Sequence, residues 1–154
     1  MKYNIQKKLA KNRYDNPLVK LKNVTKYDYR FLYELLKKRD PRANISHKKM
    51  PTYKKHVEFV KSKPYSKWQI IYYKNQKAGS IYLTRQNEVG IFIKKTLQGK
   101  NIGKEALQML MENNSRIRYL ANVAPKNTKS IRFFKKNGFK LIQYTFEIET
   151  NLSN

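Results

Sequence analysis

The sequence predicts a single mixed α/β domain of order βααβββαβαβ, with a largely antiparallel sheet flanked by helices. Three observations carry this. After one alternating run come two stretches of helical period, and beyond Pro64 the period shifts to two for three consecutive runs. A glycine-punctuated loop then feeds a third helical stretch. No internal repeat and no Pro/Gly/Ser-rich linker divides the 154 residues, a length suited to one domain. Residues 1–16 are polar, basic and aperiodic, and read as an N-terminal arm; residues 17–154 read as the domain.

Residues 18–24 alternate well enough for a first strand. Tyr27, Phe31, Leu32, Leu35 and Leu36 fall on one helical face, ended by Asp40-Pro41. Residues 39–50 have no period and read as a loop. Pro51-Thr52 opens a second helix striped by Tyr53, Val57 and Val60. Residues 68–73, 78–83 and 88–93 alternate around two short polar turns, which predicts a three-strand meander. Ile102, Ala106, Leu107 and Leu110 mark the inward face of the third helix. Residues 116–123 read as a fifth strand and 127–136 as a helix stopped by Gly138. Residues 139–148 read as a final strand with little turn signal after it, so how the sheet is completed is left open.

Composition narrows the function. Lys and Arg total 35 against 10 Asp and Glu, a net charge of +25 that attracts polyanions. However, 27 of those 35 are Lys, whereas readers of bases and phosphates rely on the planar fork of Arg. Lys, Asn, Ile and Tyr share A/T-rich codons, which offers another source for the excess. A solvated basic surface is the favoured reading, with nucleic-acid binding kept as the other. With no cysteine and two histidines, disulfide frameworks, thiol nucleophiles and most zinc sites are excluded, and no metal is expected. No apolar run approaches the roughly 18 residues of a membrane span, and a cytoplasmic protein is expected.

Gln98, Gly99, Lys100, Asn101, Ile102, Gly103 and Lys104 lie between a strand and a helix, where unpaired N–H groups and the helix dipole suit an anion. Three of the five glycines, Gly90, Gly99 and Gly103, fall in this strand–loop–helix unit. Farther on, Asn127, Ser130, Phe134 and Gly138-Phe139 form a second constellation. Together these resemble the GNAT superfamily of acyl-CoA-dependent N-acetyltransferases, over residues 18 to about 149. The family loop Q/R-x-x-G-x-G/A is matched at its first and sixth positions by Gln98 and Gly103. Asn101 stands at its fourth position in place of Gly, and Phe134 stands where many members carry Tyr.

The resemblance implies a cleft where the fourth and fifth strands splay apart. Acetyl-CoA would lie there with its diphosphate on residues 98–104 and its pantetheine arm along the backbone at Phe92 and Ile93. Asn127 would reach it from the other side, or cap its helix, or both; Phe134 would wall the thioester or belong to the core. Among the ten carboxylates, Glu88 begins the strand entering the loop, where the family often places a catalytic Glu. It reads as the general base, directly or through water, or else as a solvated carboxylate at a hairpin end. The acceptor would approach along residues 39–50, where Arg39, Asn44 and His47 are the candidate contacts; His56 reads as surface.

The expected activity is direct transfer of an acetyl group from acetyl-CoA to a primary amine in a ternary complex. The expected acceptor is an amino-sugar nucleotide or a protein or peptide amine, and the expected assembly a monomer or homodimer. The alternatives are an aminoacyl-tRNA acetyltransferase and a catalytically weak module of the same fold that docks on RNA or a ribosome.

Overall fold

The computed structural model describes residues 17–43 and 49–150. The sheet has the order β1 (Val19–Asn23), β2 (Lys67–Tyr73), β3 (Gln76–Leu83) and β4 (Val89–Ile93), and every pair is antiparallel. The helices are α1 (Tyr29–Lys37), α2 (Tyr53–Lys61), α3 (Ile102–Asn113) and α4 (Thr128–Lys136). No helix among the described residues is long and apolar enough to cross a membrane.

Alternation along the strands gives the sheet two working faces. On one, Val19, Ile71, Ile81, Leu83 and Val89 pack against Ile102, Ala106, Leu107 and Leu110 of α3. On the other, Ile70 meets Leu32 of α1 and Val60 of α2, with Trp68 and Tyr72 alongside. Burying an aliphatic side chain of this kind stabilises by about 1.5–3 kcal/mol, which is why the two apolar stripes decide where the helices lie.

The first helical stretch is split. Lys26–Asp28 form a 3-10 turn before α1, so Tyr27, expected inside, is 79% exposed. The turn is locked by Asp28, whose carboxylate accepts from the Thr25 N–H at 2.7 Å and the Thr25 hydroxyl at 2.9 Å and pairs with Lys77 at 2.7 Å. Burial alone would raise the Asp28 carboxyl, but these partners outweigh it and hold it below its ordinary value.

The second helix is rotated from the expected stripe. Thr52 caps it by accepting from the Lys55 N–H, and His56, read as surface, is buried beneath Tyr33 with Nε2 unpartnered. Burial pushes the imidazole below its ordinary value, against a hydrogen bond with the Tyr29 backbone. The unfolded chain therefore binds more protons below about pH 6.5, so stability falls as pH drops through that value and levels off below the folded pKa. The melting temperature is expected to decline from pH 7.5 to 5.5, and His56→Leu to flatten that decline. An unchanged slope in the variant would assign the effect to another group.

Neither of the last two expected strands forms. Residues 116–123 touch β4 through one parallel bridge, Glu88 to Leu120. Its two bonds are Val89 N–H to Leu120 O at 2.7 Å and Leu120 N–H to Asn87 O at 2.8 Å. The Tyr119 hydroxyl ties this segment back to the end of α3 by donating toward the carbonyls of Met111 and Asn114. Phe139 is held by its N–H to Phe134 O, but residues 140–150 run without a ladder partner, and Leu141, Ile142, Tyr144, Phe146 and Ile148 are all exposed. A two-residue period marks a segment able to be a strand; a neighbouring edge with free N–H and C=O groups is needed to make it one.

Candidate active site

β4 leaves the sheet at Ile93, and Lys95–Leu97 form a 3-10 turn before the chain reverses into α3. The reversal uses two positive φ angles, 78° at Gly99 and 60° at Asn101. Asn tolerates this region better than most residues, so the helix starts here without glycine at position 101. Asn101 makes no side-chain capping bond, and open space surrounds the Cα of Gly99. The first-turn amides of α3 have no partner within the helix, and Lys100 and Lys104 lie exposed beside them, a setting that fits a diphosphate. Gln98 donates from Nε2 to Ile93 O at 3.0 Å, pinning the loop to the end of β4.

Gly103 answers a different demand. A Cβ there would lie 3.2 Å from the Phe133 ring, so its glycine permits α3 to approach α4. Asn127 caps α4, its Oδ1 accepting from the Ser130 N–H at 3.2 Å, which leaves its amide N–H groups for another partner. Phe134 is 8% exposed and lies edge-on to Phe133 and Phe139, with centroids 5.2 and 5.0 Å away. It is a core residue.

Glu88 sits at the parallel bridge, where β4 and the 116–123 segment meet before parting. Its Oε1 accepts from Asn122 Nδ2 at 2.7 Å and its Oε2 from the Thr84 hydroxyl at 3.2 Å. The Glu88 N–H donates to the Thr84 hydroxyl oxygen at 3.0 Å. One carboxylate is therefore oriented from the 116–123 segment by Asn122 and from the β3–β4 turn by Thr84.

Beside it lies an aromatic wall. Tyr82 of β3 stacks on Tyr65 at 4.0 Å with the planes 7° apart, and Trp68 meets Tyr65 edge-on at 4.8 Å. Tyr82 crosses directly over Gly90, its register partner. Burial raises both phenols; the Glu88 charge adds to this at Tyr82, and the Arg39 guanidinium opposes it at both. Arg39 itself donates from Nη2 to Ala43 O at 3.0 Å, while its buried Nε has no partner among the described residues. It borders a cavity of about 570 Å³ between the end of α1 and the end of β4, which Phe92 also lines.

A family model described as an acetyltransferase (GNAT) domain matches residues 19–140 of the chain. The chain belongs to the GNAT acetyltransferase family. Solved structures agree on the fold. A domain from Methanocaldococcus jannaschii superposes with a TM-score of 0.71 at 24% identity, over 84% of this chain and 92% of that one. A ribosomal-protein alpha-N-acetyltransferase in complex with coenzyme A gives 0.68 at 18% identity, over 83% of each chain. Spermidine N-acetyltransferase from Vibrio cholerae gives 0.66 at 18% identity, over 88% of each. No curated protein matches the chain by sequence.

In this GNAT domain, the residues expected to hold acetyl-CoA fall into two groups. Gln98, Gly99, Lys100, Asn101, Ile102 and Lys104 cluster at the start of α3, joined by Phe92 and Ile93 at the exit of β4. In the second group, Gly103 lets α3 approach α4, Phe134 is buried beside Phe133 and Phe139, and Asn127 caps α4. Of the expected acceptor contacts, Arg39 borders the cavity; Asn44 and His47 lie outside the described residues. Sequence reasoning missed Tyr65, Tyr82, Thr84 and Asn122. Only the register that sets Tyr82 across from Gly90 gives a signal for the wall, since an aromatic opposite a glycine covers it. Among the described residues, no three His, Cys, Asp or Glu side chains converge as metal ligands.

Proposed function

We propose that this GNAT acetyltransferase acetylates a primary amine by direct attack in a ternary complex, with Glu88 as the general base. The observation that supports this best is the Glu88 carboxylate, oriented by Thr84 and Asn122 at the head of the opening. Acetyl-CoA supplies an activated acyl thioester when bound. The amides at the start of α3 together with Lys100 and Lys104 hold its diphosphate. Gln98 ties the loop to the Ile93 carbonyl at the end of β4, beside which the pantetheine arm would run, and Asn127 offers amide N–H groups.

An amine is protonated near neutrality and cannot attack until it loses a proton. Each Glu88 oxygen accepts one side-chain hydrogen bond, which leaves a second lone pair on each for an incoming ammonium or a bridging water. The Tyr65–Tyr82 stack lies close enough to the carboxylate for its charge to act on the Tyr82 phenol. Phe134 has no proton to give, so the departing thiolate leaves without a side-chain acid at that position; the low basicity of a thiolate permits this.

Acetyl-CoA is expected to raise the melting temperature, by a stabilisation of about 2.7 kcal/mol at a hundredfold excess over Kd. Screening primary amines, including peptide N-termini and amino-sugar nucleotides, with thiol release as readout should then identify the acceptor. The absence of any shift at millimolar acetyl-CoA would remove the reading.

A further inference from the structure

The cavity beside Arg39 has a strongly one-sided wall. Lys37, Lys38 and Arg39 contribute from the end of α1, and Lys94 and Lys95 from the end of β4; Asp40 is the one acidic residue that lines it. Asp40 is already matched, since Arg42 Nη2 lies 2.7 Å from its carboxylate. Lys37 is shared with Glu34 at 3.8 Å, and the Lys94 ammonium lies 5.1 Å from the centre of the Phe31 ring. These ties leave a clear positive excess around one concave space. The last carbonyls of α1 offset only a fraction of a charge there.

A second observation is independent of charge counting. Arg39 Nε is closed off from solvent and meets no acceptor among the described residues, although the same guanidinium donates from Nη2 to Ala43 O. A buried N–H on a cation is costly to leave bare. An anionic oxygen that displaced the atoms now covering it would complete the fork.

Location adds a third constraint. The cavity touches β4 at Phe92, four residues beyond Glu88, which at about 3.3 Å per residue places it roughly 13 Å along the strand. It shares Phe92 with the expected course of the pantetheine arm, and Thr96 precedes the diphosphate seat at residues 98–104 in the chain. Arg39 links the two regions, since its charge reaches the Tyr65 and Tyr82 phenols beside Glu88.

We infer that this cavity is an acceptor subsite for a phosphate or diphosphate group, and that the acceptor is an amine carrying such a group roughly 13 Å from its nitrogen. The inference rests on the acetyl-transfer reading for the identity of the amine end. It disfavours polycationic acceptors, which five basic side chains would repel.

Inorganic pyrophosphate titrated calorimetrically into the full chain saturated with coenzyme A tests it. Binding should persist with the cofactor seat filled. Lys38→Gln combined with Lys95→Gln should weaken it at least tenfold. Lys61→Gln combined with Lys67→Gln, the same loss of charge at exposed positions away from the cavity, should change it less than twofold. Displacement of pyrophosphate by coenzyme A would return the site to the cofactor and overturn the inference. Equal weakening by both pairs would reduce it to the general field of the chain, and no binding would refute it. A short RNA that binds a hundredfold tighter through the same two lysines would overturn the small-acceptor assignment. The acetyl-CoA melting shift of the Lys38/Lys95 variant should match that of the parent, so failure of this subsite and failure of acetyl transfer are read separately.

Discussion

Glu88→Gln is expected to lower kcat/KM for the amine about 100- to 1000-fold while leaving the acetyl-CoA melting shift unchanged. Glutamine keeps the shape of the side chain and a carbonyl oxygen for the Thr84 hydroxyl or for Asn122 Nδ2, but it cannot take a proton. Residues 98–104 lie at the other end of β4, so cofactor affinity has no reason to move. The deficit should narrow as pH approaches the pKa of the amine itself, because solvent then does the work of the base. Asn122→Ala removes one orienting donor at 2.7 Å and should produce a smaller loss with the same pH trend. Full turnover by Glu88→Gln well below the amine pKa would assign the proton to another group.

Gly90→Ala should have the largest effect on the site's architecture. A Cβ there would lie 2.0 Å from Tyr82 Cζ and 2.3 Å from its hydroxyl oxygen. Tyr82 has little room to retreat, since Tyr65 covers its other face at 4.0 Å. Overpacking of this kind costs about 1–3 kcal/mol, a fall in melting temperature of roughly 3–10 °C for a chain of this length. Tyr82→Ala removes the obstacle, so the double variant should lose less than the two single losses combined. Strict additivity would show that the ring does not meet position 90.

Much of the scaffold was legible because burial writes itself into spacing. The four residues expected to face inward on α3 are all buried, and the meander lies where the period of two places it. His56 was misread because Tyr53, Val57 and Val60 suggest a stripe one position away from the one that packs; a single polar residue on a nine-residue helix leaves its phase ambiguous. The last two strands were misread for another reason. Alternation at Ile142, Tyr144, Phe146 and Ile148 records a strand-like face, while pairing depends on an edge elsewhere in the molecule. At the site, loop residues 98–104 were visible from glycine placement and family pattern. Thr84 and Asn122 were not, because they meet Glu88 only after the hairpin turn and the α3 connection bring three separate stretches together.

The lone parallel bridge at Glu88 has a mechanical consequence. Two arms that spread from a shared pivot move most at their tips and least at the joint. The β4 arm ends at the cradle that starts α3, and the other arm leads to Asn127. Breathing of the gap as a long cofactor enters or leaves would displace those tips, while the carboxylate at the joint stays where two backbone bonds and two side-chain donors fix it. On the proposed reading, admission and proton removal would fall to parts of the molecule that need not move together.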